Sequence, residues 1–345
     1  MRLETVRGIK RSGVELLIIP TCALLAGCDG WQSVLNARGV EAEHLQRLFW
    51  FFTIVCAIVW ILVIAGLVWA LIATPVPGHQ NDPLQLDVKR ERRTSLVVWG
   101  LVAATVVWLM VLTIASFLED AQLSANPRPV LTIELTGYQW WWQVRYLDDE
   151  PAKIFTTANE IHVPVGKPVK VRLVAGDVIH SFWVPNLAGK LDLIPGQINE
   201  LIVTANRAGI YRGQCAEFCG TQHAKMGLRA IAQSPDDFAK WREKQLQPAG
   251  IEGEIASAGQ RAFFASGCFL CHTIRGTNAG GRVGPDLTHV GSRMAIAADT
   301  LPNTVAHMAG WITDPQAIKP GNFMPRMNVE ARDVNVLANY LEALK

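Results

Sequence analysis

Two uncharged runs, Leu48 to Ala73 and Ser95 to Leu118, dominate the hydrophobic pattern of this chain. A helix of about 20 apolar residues crosses a hydrocarbon core about 30 Å thick, and both runs exceed that length. They are predicted to be two transmembrane helices. Trp50, Trp60, Trp69, Trp99 and Trp108 lie within them, and those nearest the ends suit the headgroup belt. The connection carries Lys89, Arg90, Arg92 and Arg93, whereas Cys28 to Glu43 holds only Arg38. The positive-inside rule then puts the connection in the cytoplasm and everything beyond about Asp120 on the outer side.

After Val130 the period shortens. Val130 to Thr136, Ile161 to Val165, Val169 to Val174, Gln197 to Val203 and Leu228 to Ala232 are short β-rich runs separated by Gly, Pro and Asn. Strands at this spacing predict a small Greek-key sandwich or barrel. Pro235 to Gln245 reads as a helix, and Gln247-Pro-Ala-Gly250 as a linker. Helical character returns at Ala256 to Ser266 and Val334 to Leu344. The expected divisions are therefore a membrane segment over 28–125, a β domain over 126–234, a helix and linker over 235–252, and a helical domain over 253–345.

Over 345 residues the charges nearly cancel, at a net of +2, so no nucleic-acid partner is expected. Seven cysteines fall as Cys22 and Cys28 near the start, Cys56 in the first apolar run, and two close pairs, Cys215/Cys219 and Cys268/Cys271. The first thirty residues resemble a bacterial lipoprotein signal, with Arg2, Arg7, Lys10 and Arg11, an apolar stretch, and then Leu25-Ala-Gly-Cys28. That resemblance implies cleavage after residue 27, lipid on Cys28, and retention in the inner membrane through Asp29. Ordinary signal cleavage or an uncleaved start is the alternative.

The close pairs carry the chemistry. Cys215-Ala-Glu217-Phe-Cys219-Gly-Thr-Gln-His223-Ala-Lys-Met226 sets two thiols, an imidazole and a thioether on one loop, soft ligands suited to copper. From spacing alone, a small-loop disulfide between Cys215 and Cys219 is also open. Copper sites of the cupredoxin kind add one His from an earlier strand, and His180 stands at the start of such a run. The second thiol argues for two metals bridged by both sulfurs. Cys268-Phe-Leu-Cys271-His272 is the pattern for covalent attachment of a c-type haem. His162 and His44 fall outside both motifs.

The run from Asp177 to Met226, with Gly137-Tyr-Gln-Trp140-Trp141-Trp142, resembles subunit II of the haem-copper cytochrome c oxidases. The resemblance implies a transmembrane hairpin followed by an all-β cupredoxin-like sandwich. It implies that Cys215 and Cys219 bridge a binuclear CuA centre, with His180, His223, a weak Met226 and the Glu217 carbonyl as further ligands. The Glu217 side chain would reach a magnesium ion shared with subunit I. Trp140 matches the surface tryptophan where electrons enter that family.

From about residue 253 the chain resembles the all-α class I cytochromes c. That implies thioether links at Cys268 and Cys271 and axial ligation by His272 and Met324, with Met327 and His307 as rivals. The whole resembles a caa-type oxidase subunit II in a bacterial inner membrane, its copper and haem domains on the periplasmic side. Implied partners are subunit I, other oxidase subunits, and an external donor, either a cytochrome or a bc-type complex. A CuA-bearing nitric oxide reductase subunit and a copper assembly factor are the alternatives. Two features depart from relatives with acidic docking faces: Arg145 lies five residues after Trp140, and Gly176 precedes Asp177. From Gly250 onward the chain balances eight basic against eight acidic side chains. A short tether would replace charge steering, giving an effective concentration on the order of millimolar.

Overall fold

The computed structural model describes residues 30, 32–73, 88–124, 128–250 and 253–345. The signal-like start and Cys28 lie outside the described residues. Two units emerge, one spanning 43–126 and the other comprising the N-terminal segment to 42 with 127–345.

The first unit is helical. Helix α1, Val40–Ala73, extends the first apolar run at its start, helix α2, Val88–Ser124, extends the second at both ends, and each is long and apolar enough to cross a membrane. The extensions are polar turns that continue the helix beyond the uncharged stretch, a region that hydropathy alone does not mark. Lys89, Arg90, Arg92 and Arg93 accordingly sit in the first turns of α2. His44 Nδ1 lies 2.7 Å from Glu119 Oε2, joining an end of α1 to an end of α2.

In the second unit ten strands form two five-stranded sheets. They are β1 Leu131–Tyr138, β2 Trp141–Leu147, β3 Phe155–Ala158, β4 Glu160–Pro164, β5 Val169–Ala175, β6 His180–Trp183, β7 Leu191–Leu193, β8 Asn199–Val203, β9 Gly209–Cys215 and β10 Gly227–Gln233. One sheet runs β3-β2-β1-β5-β8, the other β4-β10-β9-β6-β7. Alternation drives their packing: Ile133 and Leu135 on β1, Trp142, Val144 and Tyr146 on β2, and Val171 and Leu173 on β5 face one core. On β2 the other face holds Arg145, paired in register with Glu134, whose carboxylate also meets Arg172. Arg145 is thus part of a cross-strand charge network. His162 stacks on Trp241 of helix α3, Pro235–Leu246, and its Nδ1 meets Gln233 Oε1 at 2.9 Å, a packing role.

The final domain packs helices α4 Glu254–Ala265, α5 Val305–Thr313, α6 Pro315–Ile318 and α7 Ala331–Ala343 around Phe263, Met308, Ile312, Leu337 and Leu341. Two small ladders, 273–274 with 279–280 and 295–296 with 301–302, are added to the helices. The stretch read as a linker is held in place. Ala249 donates to the Arg275 carbonyl, Arg275 reaches back to the carbonyls of Gln245 and Leu246, and His289 meets the Gln247 carbonyl.

Candidate metal and haem sites

Strand register builds the first site. β9 ends at Cys215 and β10 begins at Gly227, so residues 216–226 form a hairpin end closed by the Cys215 amide donating to the Met226 carbonyl at 2.9 Å. Phe182 on β6 pairs with Cys215, which brings His180 beside the loop. At Gly137 an added Cβ would stand 2.9 Å from the His180 ring, so the bare backbone of β1 makes room for the imidazole.

His180 Nδ1 lies 3.8 Å from Cys215 Sγ, the two sulfurs are 3.7 Å apart, and Cys219 Sγ is 3.6 Å from His223 Nδ1 and 3.8 Å from Met226 Sδ. The Glu217 carbonyl lies 3.2 Å from Cys215 Sγ. Both cysteines are free and buried, and a disulfide would need about 2.05 Å between sulfurs, so that alternative fails in this structure. Donor atoms of His180, Cys215 and Cys219 all fall within 4.8 Å of one another. Edges of 3.6 to 3.8 Å are what metal–ligand bonds of about 2.3 Å give around a tetrahedron, so this donor set fits a soft metal.

The electrostatics agree. The Cys219 thiol donating to Cys215 lowers the latter to about 4, against burial, with His180 helping; Cys219 is raised in turn. One thiolate and one thiol therefore share the site before metal enters. Burial alone would lower His180, but Cys215 and Asp177 outweigh it and raise the imidazole. Asp177 Oδ1 sits 2.8 Å from His180 Nε2, which aims Nδ1 at the sulfurs. Its other oxygen accepts the Gln139 amide at 2.7 Å. Asp177 is a functional residue that sequence reasoning passed over, although a carboxylate three residues before a ligand histidine was a signal. The Glu217 side chain is exposed beside Lys190, at 3.9 Å.

The second site is a cavity of about 1070 Å³, including its open mouth. Cys271, His272 and Met324 line it, while Met327 and His307 are not among its lining residues. His307 instead bonds Thr304 at the start of α5. His272 Nδ1 donates to the Pro285 carbonyl at 2.7 Å, which leaves Nε2 available, and burial lowers the imidazole so that it is neutral. Cys268 is partly buried in the adjacent helical core. Arg293 also lines the cavity and keeps a buried Nε without a partner, a donor suited to a haem carboxylate. Size, thiols, imidazole, thioether and this orphan donor fit a haem.

The two sites share a wall. Gln139, Trp140 and Trp141 of the β sandwich line the haem cavity. Trp140 Nε1 donates to the Cys219 carbonyl at 2.9 Å, and Gln139 Nε2 donates to the same oxygen at 2.8 Å. The expectation of a surface tryptophan needs correcting, for Trp140 is 6% exposed. Residues 319–321 cover it, since the helical domain sits on this face of the sandwich. Lys319, 2% exposed, gives all three ammonium hydrogens to carbonyls: Trp140 at 2.7 Å, Lys225 at 2.7 Å and Ala297 at 3.1 Å. Burial pulls its ammonium down to about 7, with Lys225 adding to the fall and Cys219 opposing it.

Comparison with known proteins matches these two halves. A family model for the periplasmic domain of cytochrome c oxidase subunit II covers residues 147–232, and one for cytochrome c covers 256–345. Cytochrome c oxidase subunit 2 of Alkalihalophilus pseudofirmus is 33% identical over 333 residues, covering 93% of this chain and 94% of that one. The chain belongs to the cytochrome c oxidase subunit 2 family. The Bacillus subtilis subunit 2 is 28% identical across 72% of this chain and 74% of its own length. A crystal structure of the periplasmic domain of subunit II of Bradyrhizobium japonicum cytochrome oxidase aligns at 35% identity and a TM-score of 0.33, covering 34% of this chain and 95% of that chain. The chain is thus a membrane-anchored, cytochrome c-bearing subunit of a cytochrome c oxidase, and its family implies haem and CuA copper as cofactors.

Proposed function

We propose that this subunit accepts electrons at its cytochrome c domain, passes them to the copper loop, and delivers them to subunit I, where dioxygen is reduced to water. One observation carries the reading: Trp140 touches the haem cavity with its ring and the Cys219 carbonyl with its indole N–H. A single side chain thereby joins the wall of the haem cavity to the copper loop through one hydrogen bond, and electronic coupling decays faster across gaps than along such contacts.

In this reading His180, Cys215, Cys219, His223, Met226 and the Glu217 carbonyl hold copper, and sharing the charge over two metals reduces the rearrangement per electron. Cys268 and Cys271 tie the porphyrin, and His272 with Met324 ligate its iron, a pairing that raises the potential. Asn322 and Gln316 brace the Met324 loop, Asn322 Oδ1 accepting the Met324 amide at 2.8 Å and Gln316 Nε2 donating to the Met324 carbonyl at 2.8 Å. The same reading assigns the Glu217 carboxylate to a magnesium ion shared with subunit I, and its exposed side chain supports that role. A cytochrome or bc-type complex supplies the electrons. The anchor is a bacterial inner membrane, with Cys28 lipidated and the copper and haem domains in the periplasm, as the basic start of α2 supports.

The test is Trp140→Phe in the intact oxidase, followed by rapid reduction of the haem and optical detection of copper reduction. Phe keeps a ring in the cavity wall but loses the donor to Cys219. The expected outcome is a drop of about tenfold or more in the haem-to-copper rate, with both spectra retained. An unchanged rate would redirect the path away from Trp140.

A further inference from the structure

The cytochrome c domain is fastened to the sandwich by more than its chain connection. The hairpin 293–303 carries three successive non-glycine residues with left-handed backbone, Ala297, Ala298 and Asp299, at φ of 53°, 57° and 59°. Each costs about 1–2 kcal/mol, so the turn persists only because its surroundings fix it. Those surroundings belong to the sandwich. Asp299, its side chain 4% exposed, accepts from Arg229 Nε at 2.7 Å and Arg212 Nε at 3.1 Å, on β10 and β9. The Ala298 carbonyl accepts the Gly227 amide at 3.0 Å, directly after Met226. Met294 donates its amide to Glu160 Oε1 at 2.6 Å. Lys319 binds carbonyls from the Trp140 turn, the copper loop and this hairpin together, and Gln222 Nε2 donates to the Pro320 carbonyl at 2.9 Å.

We propose that the 293–303 hairpin and Lys319 form an interdomain clamp, which locks the cytochrome c domain onto the copper loop in one fixed pose and denies external cytochromes access to Trp140. A buried charge surrounded by directional partners from several segments defines a pose more than it adds stability, because desolvation offsets much of the attraction. A domain on a free tether would have to find its docked pose before each transfer, at a rate sensitive to salt and viscosity. A clamped domain has no such step. The clamp rests on the proposed electron path for its function, though not for its existence.

Asp299→Asn is the suitable variant, since Asn tolerates the left-handed conformation and matches Asp in size while removing the charge facing two arginines. It lies outside the haem cavity lining. In the intact wild-type oxidase the haem-to-copper rate should not change with ionic strength or viscosity. In Asp299→Asn it should fall at least about tenfold and become dependent on both, with haem and copper spectra preserved. A variant rate within about twofold of wild type would overturn the clamp's role. Amide hydrogen exchange separates this from the electron path: Gly227 and Met294 should be strongly protected in wild type and lose protection in the variant. Exchange at wild-type Gly227 and Met294 as fast as in an open loop would overturn the clamp itself. Absence of any haem-to-copper transfer in wild type would instead overturn the path.

Discussion

Asp177 serves the copper loop from two directions with one carboxylate, holding His180 Nε2 and the Gln139 amide. Asp177→Asn should weaken copper binding by about ten- to a hundredfold, as loss of a partner behind a ligand histidine does, with titration against a competing chelator as the measure. The cysteines make a second prediction. Cys215 is lowered from 9.0 to about 4 chiefly by the Cys219 thiol, so its thiolate stabilises the metal-free fold. A depressed value makes that contribution complete above about 9 and lost as pH falls through about 4, while the raised Cys219 opposes it on the alkaline side. Metal-free protein should therefore show ultraviolet thiolate absorbance near pH 6, disappearing below about 4, and Cys215→Ser should abolish the signal.

Among the elements, Gly259 on α4 meets Tyr340 on α7 so closely that an added Cβ would lie 2.2 Å from the Tyr340 Cβ. Gly259→Ala should part these helices and lower the stability of the haem domain by about 1–3 kcal/mol, visible as a lower thermal midpoint in calorimetry. The elements also show what the sequence made legible. β1, β4, β5 and β8 carry β-branched residues between turn residues, β10 alternates Leu228, Ala230 and Ala232 with Arg229 and Ile231, and the pattern finds each. β9 carries Gly209 and Gly213 and has little strand propensity; its place comes from pairing with β10 and β6. β3 and β7 are too short for periodicity to register. β2 was legible in principle, since Trp142, Val144 and Tyr146 alternate with Trp141, Gln143 and Arg145, but the apolar Trp141 at its start blurs the alternation. The metal loop was readable because its donors are close in sequence. Lys319 was not, for its Trp140 partner lies 179 residues away.

At the scale of the molecule, a tether between two independent electron carriers gives way to a structure in which one domain completes the other's cavity. The sandwich contributes Gln139, Trp140 and Trp141 to the wall around His272 and Met324. Charge balance on the last domain follows naturally, because a partner already in position needs no steering. In the proposed electron path a donor would meet the open rim of the haem cavity, where Val283 and Phe323 are each 70% exposed.

The indole shared by both centres has a thermodynamic corollary. Trp140 donates to the Cys219 carbonyl and lines the haem cavity, so a metal that stiffened the sulfur loop would also alter the packing of that cavity wall. The haem midpoint potential should accordingly differ between copper-depleted and copper-replete enzyme in a spectroelectrochemical titration. Reciprocity then fixes the converse: the free energy by which copper occupancy biases the iron's oxidation state equals that by which iron oxidation biases copper affinity.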